Sequence, residues 1–193
     1  MRRTIFTIFI LLVSFTPFSV ADEGATGFTG VWVINDELSD DTDKQVEEAI
    51  KAAGGKIKRG GKKGKGRYKG GPPEQALYDH ISYDEVLQFQ YHDPEFRLVY
   101  AEDFERMFYS DNRSRTVTAS GSSRGDRTDY SFAAWDGAKL LVESRPRDGG
   151  WISEVYSLNP ETGQLRVELK LKPLSFRVPI NIVRIYDRSS KTN

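Results

Sequence analysis

Hydrophobic and polar residues alternate along most of the chain from Leu87 to Arg188, and the period is two. Gln164-Leu165-Arg166-Val167-Glu168-Leu169-Lys170-Leu171 shows it best, with every odd residue leucine or valine and every even one polar. This is the pattern of a strand with one dry face and one wet face. Leu87, Phe89 and Tyr91 alternate with glutamines, His92-Asp93-Pro94-Glu95 turns the chain, and Phe96, Leu98 and Tyr100 return, so a hairpin is expected. Arg106 to Tyr109 and Arg115 to Ala119 are expected to pair with each other through Ser110-Asp111-Asn112. Tyr130, Phe132 and Ala134 share a face. Asp136-Gly137 is a strong hairpin signal leading into Leu140 and Val142. Asp148-Gly149-Gly150 and Pro160-Glu161-Thr162-Gly163 bracket a strand from Trp151 to Leu158, and Ile180 to Arg188 forms the last one.

Together with Gly30 to Asn35, where Trp32 is an apolar anchor, this predicts nine or ten short antiparallel strands. A mainly β fold follows, a meander closing into a barrel or sandwich, because an unpaired hydrophobic edge is a liability. One element departs from the pattern. Val46, Ala49, Ile50 and Ala53 recur at helical spacing, and Gly54-Gly55 stops the run. A short N-terminal helix over Asp40 to Ala53 is expected to plug one end of the barrel, with Thr42 and Gln45 as a capping box.

Composition adds a leader. Arg2 and Arg3 precede an apolar stretch from Ile5 to Val13, and Ser19-Val20-Ala21 is a small-x-small cleavage site. Residues 1–21 are expected to be a general-secretion signal peptide cleaved after Ala21, which places the protein in the periplasm or outside the cell. With 28 basic residues less Arg2 and Arg3, 26 face 28 acids, so the mature chain is close to neutral. Residues 22–193 suit a single domain. There is no cysteine, which excludes disulfides, thiolate catalysis and a lipid-anchored N-terminus. No later stretch approaches transmembrane length.

Between Gly54 and Gly71 the pattern disappears. Lys56, Lys58, Arg59, Lys62, Lys63, Lys65, Arg67 and Lys69 are interleaved with glycine, and no acid occurs from Ala49 to Pro73. So little apolar area cannot offset the entropy of ordering, so a flexible loop is expected. It can attract an anionic envelope surface. Nucleic acid is disfavoured, because Tyr68 is the only aromatic available for stacking.

Gly30-x-Trp32 resembles the opening motif of lipocalins, in which tryptophan packs on an arginine from a late strand. The resemblance implies Arg184 as that partner, since Ile182 and Tyr186 flank it on one face. The chain is also similar to a group of bacterial secreted proteins with lipocalin-like β folds. They share a G-x-W-x-(I/L)-N start, an A-x-W-D-G hairpin and an R-x-Y-D-R end, here Gly30 to Asn35, Ala134 onward through Glu143, and Arg184 to Arg188. That likeness implies a fold and an envelope location, and no activity.

Candidate chemistry is sparse. His92 with Asp93 and Glu95 reads as a polar turn, and no zinc site is expected. There is no G-x-S-x-G elbow and no Walker spacing. Glu143 and Glu154, on neighbouring strands, are explained by a cross-strand charge ladder. No catalytic residue, metal or cofactor is assigned. Aromatic residues are abundant, and a barrel of this strand number can hold one small ligand. Trp32, Tyr130, Tyr156, Arg184 and Tyr186 are the candidate ligand-binding residues, with Arg184 and tyrosine hydroxyls suited to an amphiphile with an acidic head. The first expectation is a non-enzymatic carrier of a hydrophobic molecule. A filled-core module for protein or polyanion contacts comes second, and an enzyme third.

Overall fold

The computed structural model describes residues 26–52, 54, 85–100, 105–111, 115–118, 128–145, 150–172, 174 and 178–190. They form one ten-stranded antiparallel sheet and one helix. In chain order these are β1 (Gly30–Ile34), α1 (Thr42–Ala52), β2 (Val86–His92), β3 (Glu95–Tyr100), β4 (Glu105–Tyr109), β5 (Arg115–Thr118), β6 (Thr128–Asp136), β7 (Lys139–Arg145), β8 (Trp151–Leu158), β9 (Leu165–Lys172) and β10 (Ile180–Arg188). The strand order is β4-β3-β2-β1-β10-β9-β8-β7-β6-β5. Each strand therefore pairs with its neighbour in sequence, except that β1 joins β10 and β4 does not pair with β5.

That last point corrects one expectation. β4 pairs with β3, and β5 pairs with β6. The two strands expected to form a hairpin are the two edges of the sheet, and they face each other where the barrel nearly closes. Their short, charge-rich sequences, such as Glu105-Arg106 in β4, suit edge positions.

The alternation seen in sequence is the alternation in space. On β9 the burial pattern is strict, with Leu165, Val167, Leu169 and Leu171 inward and their neighbours exposed. Hairpin β2–β3 pairs Phe89 with Leu98 and Tyr91 with Phe96, as expected for a turn at Asp93-Pro94. On β6 the inward phase is shifted by one from the expected face. Ala133 is buried opposite Val142, and Trp135 packs on the core opposite Leu140, whereas Phe132 and Ala134 are only half-buried.

Helix α1 sits against β10. Its apolar stripe buries Val46 and Ala49, with Ile50 partly covered, as the helical spacing requires. At the start of the helix the Asp41 carboxylate accepts the Lys44 amide at 3.1 Å, a capping bond one residue ahead of the expected box. The segment before the helix is laced to β10. Ser39 and Asp40 side chains accept the amides of Ile185 and Val183 at 2.9 and 2.8 Å.

Residues 56–69, with the eight basic side chains expected to attract anions, lie outside the described residues, as do residues 1–21 and His80.

Candidate functional site

The barrel has an aromatic floor. Trp32 is fully buried on β1, and its indole nitrogen donates to the Phe28 carbonyl at 2.8 Å. Phe28 folds under the strands and packs on Phe89 and Trp135, with ring centroids 5.4 and 5.6 Å apart. Phe96 joins both Phe89 and Trp135 at 5.5 Å. These rings come from β2, β3, β6 and the segment before β1, so they bridge opposite walls.

Arginine does cover Trp32, but it is Arg188. Its guanidinium carbon lies 4.3 Å from the Trp32 ring centroid. The same group donates to the Thr29 carbonyl at 2.9 Å and to the Gly27 carbonyl. Register explains the correction, because Trp32 sits directly opposite Arg188 across the β1–β10 ladder. Arg184 lies four residues back on the same face, buried opposite Val167.

Above the floor lies a polar centre that the sequence reading missed. Arg106 on β4 donates to both carboxylate oxygens of Glu154 on β8, at 3.0 and 2.7 Å. The same guanidinium donates to the Tyr100 hydroxyl at 3.1 Å and to the Ser144 hydroxyl at 3.4 Å. Tyr156 donates its hydroxyl proton to Glu154 at 2.9 Å, while its ring packs on Phe89 at 5.7 Å. Tyr156 is thus the link between floor and polar centre. Glu154 has no exposed surface and the Arg106 side chain keeps only 10%.

The fork geometry of guanidinium and carboxylate is the strongest neutralising pair available to side chains. Burial, the largest single influence, pulls the Arg106 pKa down, but the field and hydrogen bonds of Glu154 together with Tyr100 and Tyr156 outweigh it and hold the group well above its ordinary value. Arg106 is a permanent cation. Burial and then the negative charge of Glu154 push Tyr156 well above the ordinary phenol value. For Tyr100 burial again dominates and raises the pKa, although Arg106 opposes it. Both hydroxyls stay neutral.

The charge-ladder reading of Glu143 and Glu154 is overturned by register. Glu143 pairs with Ser153, and Glu154 pairs with Val142. The two glutamates point to opposite faces, Glu143 out and Glu154 in. A signal was present: Glu154 keeps phase with Ile152, Tyr156 and Leu158, as Arg184 does with Ile182 and Tyr186.

Of the other candidate ligand-binding residues, Trp32, Tyr156, Arg184 and Tyr186 are all buried in the barrel. Arg184, Val167 and Tyr156 lie in one cross-strand row over β10, β9 and β8. This puts the Arg184 and Tyr156 backbones roughly 10 Å apart. Tyr186 is one pair further along, opposite Leu165 and Ile34. Tyr130 pairs with Arg145 in the β6–β7 ladder, and its side chain lies outside the described residues. Among the described residues no cluster of histidine and carboxylate groups could hold a metal, and no helix is long and apolar enough to cross a membrane.

No protein-family model matches the chain, and no curated protein matches it by sequence. Solved structures do match it in fold. Apo lipid binding protein 8 of Caenorhabditis elegans is 11% identical, covering 85% of this chain and 96% of its own, with a TM-score of 0.50. Fatty-acid-binding protein 1 of Echinococcus granulosus is 10% identical over 86% and 99% of the two chains, with a TM-score of 0.48. Secretory abundant heat soluble protein 4 of Ramazzottius varieornatus is 14% identical over 84% and 95%, with a TM-score of 0.46. At these identities the likeness is one of fold: a nearly closed antiparallel β-barrel with a helix against it.

Proposed function

We propose that this protein is a secreted, non-enzymatic carrier that holds a lipid or other hydrophobic molecule inside its barrel. The observation that carries the reading is an apolar barrel interior with a small, fully hydrogen-bonded polar centre placed deep within it. Ligand pockets have that make-up, a greasy lining with few polar fixtures that set orientation. The nematode protein that shares the fold is itself a lipid binding protein, which supports the reading by analogy of architecture. The leader at residues 1–21 would deliver the carrier to the periplasm or beyond, and the Gly54 to Gly71 segment would draw it to anionic envelope surface.

A second reading is a filled-core interaction module. The ring cluster of Phe28, Phe89, Phe96 and Trp135 favours it, because rings from opposite walls already occupy the floor end.

Native mass spectra of protein purified from a periplasmic extract, before and after delipidation, separate the two. A lipid-sized extra mass that delipidation removes supports the carrier. A bare chain mass in both samples overturns it in favour of the filled core. The same spectra test the leader, since cleavage after Ala21 leaves a chain beginning at Asp22.

A further inference from the structure

We infer that the barrel docks on anionic lipid bilayers through a rim formed by Arg145, Trp151, Lys170, Lys172, Leu174 and Val178. The inference concerns the outer surface, so it goes beyond the carrier reading and serves a loaded or a filled barrel alike. It also assigns the contact to the rim and not to the Gly54 to Gly71 segment.

Strand register assembles this rim. Trp151 opens β8 on the outward phase, since Ile152 after it is buried. It pairs directly with Lys172 at the end of β9. Arg145 closes β7 one residue past the Ser144–Ile152 pair, which sets it on the other flank of Trp151. Lys170, two residues back on β9, places its ammonium 5.6 Å from the Trp151 ring centroid. All three cations are exposed, and among the described residues none of them forms a salt bridge. Past the end of β9, Leu174 is 70% exposed, and Val178, just before β10, is 36% exposed. β10 runs nine residues from here to Arg188, so the rim lies at the opposite end from the Trp32 floor.

Three kinds of side chain meet there, and a bilayer surface suits all three. Exposed leucine and valine gain free energy on leaving water for hydrocarbon. Indole settles at the level of the lipid headgroups. Lysine and arginine attract anionic headgroups, each worth about fivefold in affinity close to the membrane. A soluble polyanion would use the cations but leave Leu174 and Val178 in water, and this favours lipid. Among the described residues the nearest acid on the same outward face, Glu143, lies a row further from the rim, opposite Ser153. Glu168 lies another row back, opposite Val155. Asp40 is held round the barrel on β10, where it accepts the Val183 amide. The positive sector over β7 to β9 is thus the side that meets the membrane.

The test is co-sedimentation with mixed phosphatidylglycerol and phosphatidylcholine vesicles, set against vesicles of phosphatidylcholine alone. The anionic vesicles are expected to hold the natural protein at least about tenfold more tightly, and added salt should weaken the binding. Arg145→Gln combined with Lys172→Gln should lower the affinity about twenty-five-fold, about fivefold for each charge. Leu174→Ser should lower it about tenfold, the effect of keeping one leucine out of hydrocarbon. These positions are exposed, so the variants should keep the natural melting temperature. No preference for anionic vesicles overturns the inference. So does unchanged binding by the folded charge variant, which moves the contact to the Gly54 to Gly71 segment. Loss with the charge variant but not with Leu174→Ser overturns lipid docking in favour of a soluble polyanion. A dimer in native mass spectra that the same variants dissolve overturns it in favour of a second copy. The carrier reading is decided by the mass of bound cargo, so its failure and the failure of the docking rim are separate results.

Discussion

Glu154 on β8 receives both terminal nitrogens of Arg106 on β4, at 2.7 and 3.0 Å, across the barrel interior. Among the described residues β4 is an edge strand that ladders with β3, so this pair is also a tie between the edge and the opposite wall. Taking two ions out of water is costly, and their attraction offsets that cost only while both are present. Removing one leaves an unpaired buried charge. Arg106→Met alone should therefore destabilise the fold by about 3–5 kcal/mol, as should Glu154→Leu alone. The double variant should lose far less than the sum. Urea unfolding of the four proteins gives the cycle, and additive losses would show that the pair is not coupled.

Alkaline pH should loosen the same centre. Tyr100 and Tyr156 both have folded pKa values above the ordinary 10.0, chiefly through burial. The neutral hydroxyl is the form the fold accepts, so their stabilising effect is fully present below pH 10. It is lost as pH rises beyond that value toward the folded pKa values. Phenolate absorbance followed by pH titration should show at least two tyrosines, Tyr100 and Tyr156, that ionise only as the protein unfolds. Phe substitution at either position should reduce that number by one. A titration in which every tyrosine ionises near 10 with the fold intact would contradict the burial argument.

At the floor, Arg188 and Arg184 should behave differently. Arg188 stacks on Trp32 and holds two carbonyls of the preceding segment, so Arg188→Ala should cost about 1–2 kcal/mol and shift Trp32 emission. Arg188→Lys retains the charge but not the planar fork, and should recover only part of the loss. Arg184→Met should leave the Trp32 environment largely unchanged, because Arg184 lies opposite Val167. Thermal melts read alongside tryptophan emission check all three variants.

Gly30 is held at φ 149°, and a Cβ there would meet Arg188 Nη1 at 2.7 Å. Gly30→Ala therefore faces both a backbone that L-residues avoid and a clash with the stacked guanidinium. A loss of about 1–3 kcal/mol is expected in thermal or urea unfolding. Gly163→Ala provides a contrast, since φ is 70° there but no atom lies within 4 Å of the added carbon. Its loss should be smaller.

Most strands were legible because the physics behind them is local. A strand with one wet face must alternate, and Leu165 to Leu171 does so without exception. Turn residues such as Asp136-Gly137 and Pro160 to Gly163 mark where the chain reverses, and the ladders begin and end beside them. Helix α1 declared itself by spacing, within two residues of its observed limits. The candidate site was only half visible. Trp32, Tyr156, Arg184 and Tyr186 lie in the apolar phase of their strands and are buried as that phase requires. Arg106 and Glu154 lie 48 residues apart on strands that are not neighbours in the sheet, and no spacing rule links them.

The sequence by itself determined the period, a run of nine or ten strands, the amphipathic helix, and which side chains alternate onto one surface. Those follow from backbone geometry acting over a few residues. The tertiary structure alone decided register and closure. Arg184 and Arg188 share a face, and only the β1–β10 register puts Arg188 opposite Trp32. Glu143 and Glu154 occupy adjacent strands, and the β7–β8 register sets them opposite Ser153 and Val142, not opposite each other. Whether β4 pairs with β5 or stops at an edge depends on how the barrel closes, which sums contacts along the whole chain. The buried Arg106–Glu154 pair exists because closure brings opposite walls within hydrogen-bond reach. That is a property of the folded barrel and not of any segment in it.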